Sequence, residues 1–237
     1  MDWFNTNYYH TLYKNRDSIE ARKFIDSLIK HLNIEKGLKV LDLACGAGRH
    51  SKHLEKLGFK VIGIDRSMNN IKKAKKYESS NLKFIKKEMT DDLEERFDIV
   101  LNLFTSFGYE NENYNLKTIE NISKNLKKDG ILIIDYLNYY LAEKNLVTKE
   151  TKYIEGLKFN IERYSDDKYI NKKITVDDKN SNVYYEKVMK IDVDNFNSYC
   201  SKNNLEISKI YGNYNLDEFD IDTSERLIMI IKKSQPY

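Results

Sequence analysis

Two hydrophobic periods alternate along the first part of the chain. Residues 39–43 form a short apolar run of Val40, Leu41 and Leu43, interrupted by Asp42; a glycine-rich turn follows, and from near Arg49 the apolar positions Leu54 and Leu57 recur at helical spacing up to Gly58. The same switch repeats, with predicted strands at 60–64, 82–86, 97–103 and 131–137. Helical stretches separate them, one opening at Ser67, a good N-cap, and another carrying Leu116, Ile119, Ile122 and Leu126 on one face. Buried strands alternating with amphipathic helices predict an α/β fold, a mostly parallel sheet covered by helices on both faces. Ahead of it stand an aromatic arm (Trp3, Phe4, Tyr8, Tyr9, Tyr13) and an amphipathic helix at 18–32 built on Phe24, Ile25, Leu28, Ile29 and Leu32.

After a short helix at 139–146 the period drops to two. Leu157, Phe159 and Ile161 alternate, then Ile170, Ile174 and Val176, then Val183, Tyr185, Met189 and Ile191, with Asp166-Asp167 and the stretch 178–182 as turns. This predicts a small antiparallel sheet at 149–191 inserted as a lid between two parts of one core, 1–148 and 192–237. The chain then returns through a helix near 195–203 and strands at 205–211 and 226–232, the last with Ile228, Met229, Ile230 and Ile231 buried on both faces.

Composition narrows the classes. With 40 basic and 37 acidic residues the net charge is only +3, and the lysines are spread along the chain, a weak footprint for nucleic acid. Lys72, Lys73, Lys75 and Lys76 fall on one helix and read as its solvated face. No apolar run has the length of a membrane span, and the opening MDWFNTNYYH lacks the order of a signal peptide, so a cytoplasmic protein is expected. Cys45 and Cys200 give neither a disulfide framework nor metal-ligand spacing, and His50 and His53 read as helix surface or caps, so no metal is expected.

The chemistry gathers at the first turn. Gly46 and Gly48 remove side chains that would keep a ligand off the backbone, and the following helix points its free amides into the same crevice. A dinucleotide fingerprint wants a third glycine where Ser51 stands, and Asp42 is a poor neighbour for a pyrophosphate, which disfavours a nicotinamide oxidoreductase. Asp42 suits a cationic ligand, such as a sulfonium amino acid joined to adenosine. Asp65, at the tip of the second strand, is placed to accept both ribose hydroxyls, with helix capping as the plainer alternative.

The run D-x-A-C-G-x-G-R-H-S over residues 42–51 resembles the first motif of the class I S-adenosylmethionine-dependent methyltransferases. The resemblance extends through FDIVLNLFTSFGY, the strand ending at Asp135-Tyr136-Leu137-Asn138 and the segment with Ser224-Glu225-Arg226, and it points to a small-molecule-type subgroup with an inserted sheet. It implies a Rossmann-like, seven-stranded, mostly parallel sheet and S-adenosylmethionine as cofactor. It also implies a cofactor site made from Asp42, Ala44, Cys45, Gly46 and Gly48, from Asp65 and Arg66, from Glu88 and Met89 after the third strand, from Asn102 and Leu103, and from Tyr13 and Arg16 of the arm. Glu88 stands where the family usually carries Asp.

The implied acceptor side comprises Tyr9, Phe104, Phe107, Tyr109, Tyr136, Asn138 and Arg226. No catalytic residue is assigned: in-line displacement at a sulfonium needs mainly proximity and alignment, and if the acceptor must lose a proton, Tyr9, Tyr109, Tyr136 and the histidines all stay open. The expected activity is methyl transfer to N or O of a small molecule. An RNA methyltransferase and a non-catalytic S-adenosylmethionine-binding protein are the alternatives.

Overall fold

β1 (Lys39–Leu43) lies at the middle of the molecule because both of its faces are apolar: Val40, Leu41 and Leu43 are at most 1% exposed. In the computed structural model, which describes residues 3–14, 18–178 and 181–234, it pairs in parallel with β2 (Lys60–Asp65) on one side and β4 (Phe97–Asn102) on the other. β3 (Leu82–Lys86) extends the sheet beyond β2, and β5 (Leu126–Leu137) extends it beyond β4. Two returning strands, β10 (Leu205–Tyr211) and β11 (Arg226–Lys233), complete a seven-stranded sheet of order β10-β11-β5-β4-β1-β2-β3. β11 is antiparallel to both β5 and β10, and so runs against the rest.

Period-two alternation inside these strands feeds two cores. On one face Val40, Val61, Ile99, Leu101, Ile133 and Ile228 pack with α2 (Ser18–His31), α3 (Arg49–Lys56) and α4 (Met68–Lys75) through Phe24, Leu28, Leu54 and Ile71. On the other, Leu41, Leu43, Ile64, Val100, Leu132 and Met229 pack with α5 (Glu112–Asn125) and α7 (Val193–Ser201) through Ile119, Ile122, Phe196 and Tyr199. Ser67 caps α4, its Oγ accepting from Asn70 N at 3.2 Å, as its position predicts. No helix among the described residues is long and apolar enough to cross a membrane.

Between β5 and α7 come α6 (Tyr139–Lys144) and a separate four-stranded antiparallel sheet, β6 (Lys149–Ile154), β7 (Leu157–Ser165), β8 (Tyr169–Asp177) and β9 (Asn182–Met189), in sequential order. Its inner face (Phe159, Ile161, Ile174, Val176) packs on the arm, where Trp3 and Leu12 are buried; Leu12 ends α1 (Asn7–Leu12). Three boundaries differ from the pattern-based expectation. β6 is strand, although KETKYI has no alternating apolar face and is almost wholly exposed or half-buried. Leu126 opens β5 instead of closing α5, since it pairs with Phe97 before a register shift in the ladder. α7 starts at Val193 because Asp192 and Asn195 form a capping box there.

Gly48 has φ +79°, and a Cβ built on it would lie 2.5 Å from the Phe84 ring. Its glycine character is a demand of backbone conformation and helix-to-strand packing. Gly48→Ala should therefore destabilise the fold by about 2 kcal/mol or more, combining left-handed strain with overpacking, as read by urea unfolding; an unchanged midpoint would refute this account of the turn.

Candidate active site

The carboxyl ends of β1, β2, β4 and β5 converge on the turn after β1, which is where open α/β sheets bind ligands. Ala44 and Gly46 both take positive φ (+58°), folding the chain back so that Gly46 N donates to Asp65 Oδ2 at 2.8 Å, joining the turn to the tip of β2. The other Asp65 oxygen accepts from Ser67 N (2.8 Å) and Asn70 Nδ2 (3.0 Å). A Cβ added at Gly46 would meet no protein atom within 4 Å, so this glycine borders open space. No side chain caps the start of α3.

Two cavities meet at Gly46. The inner one is bounded by Asp65, Arg66, Asn70, Lys87, Glu88 and Met89 on one side and by Phe4, Tyr9, the segment 104–106, Tyr109, Glu110 and Tyr114 on the other. The second, the loop cavity, is bounded by Asp42, Cys45, Ala47, Arg49, His50, Leu103, His10, Tyr13 and Lys14. Tyr9, Ala44, Gly46, Asn70, Phe104 and Ser106 border both. An outer cleft along β9 touches the inner cavity at Phe4, Arg66 and Tyr109.

The electrostatics of the turn favour a positive guest. Asp42 is 1% exposed, and burial pushes its carboxyl up to about 6 even though Ser51 Oγ donates to it. Ser51, the residue standing where a dinucleotide fold has glycine, thus serves as the clamp of that carboxylate. Asp65 is also raised by burial, against the pull of its hydrogen-bond donors. Burial raises the Cys45 thiol too, helped by both aspartates. A cation placed among these groups relieves the cost of keeping two carboxylates ionised out of water. Opposite charge is available on the loop side: the Arg49 guanidinium lies 3.9 Å from the centre of the Phe104 ring, at the start of α3.

Most residues expected at the site come together here: Tyr9, Tyr13, Asp42, Ala44, Cys45, Gly46, Asp65, Arg66, Glu88, Met89, Leu103, Phe104 and Tyr109 line one or both cavities. Others do not. Gly48 packs on Phe84. Asn102 is wholly buried, its amide reaching Leu43 O and the Met89 sulfur. Phe107 is buried against Phe196 of α7, and Tyr136 is buried with its hydroxyl donating to Met189 O at 2.6 Å. Asn138 ties down the carbonyls of Ile221 and Ser224. Arg226 pairs with the buried Asp135 and donates to Thr105 Oγ1, so it shapes the wall of the site from behind. His50 is buried beside Phe104, not on the helix surface, while His53 meets Asp26 at 2.7 Å. Arg16 lies outside the described residues.

The structure adds Phe4, Arg49, Asn70, Lys87, Glu110 and Tyr114 to the lining. Arg49 and Phe4 stood inside the motif and the arm and were legible there; Tyr114, whose hydroxyl donates to Glu88 at 2.9 Å, comes from a helix with no local signal.

Fold and site together define a Rossmann-like class I methyltransferase architecture. Residues 34–202 match the family model described as a methyltransferase domain, most of the chain, and the protein belongs to that family. Among curated relatives it is 34% identical over 149 residues to a glycine/sarcosine N-methyltransferase of Aphanothece halophytica, covering 60% of this chain and 55% of that one. It is 31% identical over 164 residues to a ubiquinone biosynthesis O-methyltransferase of Pelagibacter ubique, covering 65% and 67%. The chain thus spans between about half and two thirds of the length of these relatives. Among solved structures, an S-adenosylmethionine-dependent methyltransferase from Clostridium acetobutylicum superposes with TM-score 0.80 at 19% identity, covering 96% of both chains. An S-adenosylmethionine-bound amino pentose methyltransferase from Micromonospora echinaspora gives 0.70 at 16% identity, covering 96% of this chain and 98% of its own. At these identities the likeness is one of fold.

The raised Asp42 carboxyl fixes a pH signature. Its folded value of about 6 exceeds the ordinary 3.8, so its contribution to stability is fully present below about pH 4 and is lost as pH rises through about 6. The unfolding free energy of the wild type minus that of Asp42→Asn should fall by roughly 3 kcal/mol across that window. A difference that stays flat with pH in urea titrations would contradict the burial of this charge.

Proposed function

We propose that this chain transfers a methyl group from S-adenosylmethionine to a nitrogen or oxygen atom of a small molecule. The observation that carries the reading is the pair of buried carboxylates, Asp42 and Asp65, flanking the open space at Gly46. The cofactor brings an electrophilic methyl on a positively charged sulfur. Asp65, three of whose roughly four lone-pair sites are used by Gly46, Ser67 and Asn70, would accept a ribose hydroxyl at the remaining one, Glu88 and Met89 would border the base, and Arg49, with the α3 amides, would receive the carboxylate of the amino acid end. Asp42 supplies the negative field beside the positive charge. The methyl would then face Tyr9, Phe104 and Ser106, three of the six residues that border both cavities, with Phe4 and Tyr109 as the way in for the acceptor.

The chain's contribution to rate is then orientation and exclusion of water. The arm and inserted sheet act as the cover: Glu186 of β9, 7% exposed, accepts from Trp3 Nε1, from Tyr13 OH at 2.8 Å and from Lys172 Nζ at 2.7 Å. Burial alone would raise this carboxyl, but Lys172, Tyr13 and Trp3 together hold it below its ordinary range, so the clasp stays charged at neutral pH. A small-molecule acceptor accords with an outer cleft of about 470 Å³, the size range of metabolite pockets, and with relatives named for glycine and sarcosine and for ubiquinone biosynthesis. The balanced charge of the chain speaks against RNA.

Two outcomes test this reading. Asp65→Ala should weaken S-adenosylmethionine binding by about 1–3 kcal/mol in titration calorimetry while the far-ultraviolet spectrum stays native, the cost of leaving ribose hydroxyls without a charged acceptor; unchanged affinity would remove Asp65 from the site. Deleting residues 1–14 should leave a folded core that has lost methyl transfer and retains the cofactor poorly, and full turnover by the truncated chain would reduce the arm to padding.

A further inference from the structure

Resting on the methyl-transfer reading, the acceptor side of the site bears on which atom is methylated. An alcohol must give up a proton as its oxygen attacks, and a positioned base contributes about 10²–10⁴-fold to such a step. The groups facing the inner cavity are poorly equipped for that. Each of its carboxylates is already engaged: Asp65 by Gly46, Ser67 and Asn70, Glu88 by the Tyr114 hydroxyl, and Glu110 by Arg66 Nη1 at 2.6 Å. In the outer cleft, Glu186 is held by Trp3, Tyr13 and Lys172. The remaining side-chain hydroxyls on the wall of the inner cavity belong to tyrosine, threonine and serine residues. Among the described residues no histidine lines the inner cavity or the outer cleft; His10 and His50 border the loop cavity, across Gly46.

The entrance is suited to positive charge. Phe4 meets Tyr9 and Tyr109 edge to face at 5.4 and 5.1 Å between ring centres, and the Arg66 guanidinium sits 5.1 Å from the Phe4 ring. The Arg66 charge is balanced by Glu110 at 2.6 Å, and aromatic π faces attract a cation. An oxyanion, by contrast, would meet ring faces of the wrong sign.

We propose that the acceptor is a small amine, entering neutral past Phe4 and Tyr109 and leaving as a methylated ammonium. The nitrogen lone pair forms the new N–C bond as the C–S bond breaks; the C–S electron pair stays on sulfur, which leaves as a neutral thioether. The nitrogen holds the positive charge against the aromatic wall until a proton passes to water, so no side chain has to accept one before attack.

The test uses the full chain, S-adenosylmethionine, and matched pairs of small amines and their hydroxyl counterparts: an aminosugar with its parent sugar, anilines with phenols, and alkylamines of graded basicity with alcohols. Thioether release and the mass of the methylated product report turnover, and calorimetry in the presence of S-adenosylhomocysteine reports acceptor binding. Amines should be methylated at least ~100-fold faster than their hydroxyl partners, the worth of a missing base. The inflection of kcat/KM with pH should move with the basicity of the amine used. Three results would overturn the assignment: hydroxyl partners turned over as fast as the amines, one inflection shared by all acceptors and lost in His10→Ala, or amines neither bound nor methylated while calorimetry still shows S-adenosylmethionine bound. Failure of the wild-type chain to bind S-adenosylmethionine would instead overturn the methyl-transfer reading beneath it.

Discussion

Asp135 has no exposed surface and lies at the end of β5, where its carboxylate accepts from Phe104 N (2.8 Å), Arg226 Nε (2.7 Å) and Tyr214 OH (3.2 Å). Its own carbonyl accepts from Thr105 N at 2.9 Å. Those bonds oppose a local cost, because Phe104 and Thr105 are consecutive residues at positive φ, +58° and +55°, and one of them is β-branched. Each such residue costs on the order of 1–3 kcal/mol and persists only where its surroundings over-determine it. Arg226 adds a second hold through Thr105 Oγ1. The strained corner turns the Phe104 ring under Arg49 and beside His50, so the wall between the two cavities rests on one buried ion pair reached from β11, far along the chain.

The remaining parts of the molecule divide into a floor and what, on the proposed function, is its cover. The floor is the parallel sheet, whose strand ends gather Asp42, Asp65, Glu88 and Leu103 from separate stretches of sequence. The cover has its own apolar cluster, in which Trp3, Leu12, Phe159, Ile161, Ile174 and Tyr184 bury one another. It is fastened to the floor through Met189, whose amide donates to Gly108 O and whose carbonyl accepts from Tyr136. Of the side chains that look from sequence like acceptor contacts, Tyr136 fastens this joint, Phe107 packs on Phe196 of α7, and Arg226 braces the corner at 104–105.

Much of this was legible in advance, for identifiable reasons. The core strands announce themselves because burial on both faces leaves unbroken aliphatic runs, as in Ile228 to Ile231, and the glycine turn does so because only certain residues tolerate its backbone. β6 was not legible: an exposed strand of lysine, glutamate and threonine has no apolar period to read, and its pairing with β7 alone makes it a strand. Within the site, the charge-bearing tips of β1 and β2 could be inferred from order along the chain. Phe107 and Tyr136 could not be told from Phe104 and Tyr109, because an aromatic residue at a strand end serves a pocket or a core equally well, and only the turn of the backbone at 104–105 decides. Tyr114 and Asn70 enter from helices whose rotation about their axes is a tertiary matter.

Trp3 is the single tryptophan of the chain. Its indole is 3% exposed, donates to a carboxylate, and lies 4.9 Å from the Tyr184 ring, all on the seam between arm and inserted sheet. The tryptophan emission of the protein therefore originates at that seam alone. Whatever lifts the arm hydrates the indole, removes the neighbouring charge and shifts the emission to the red, so the molecule carries an optical gauge of the contact between arm and inserted sheet that needs no label.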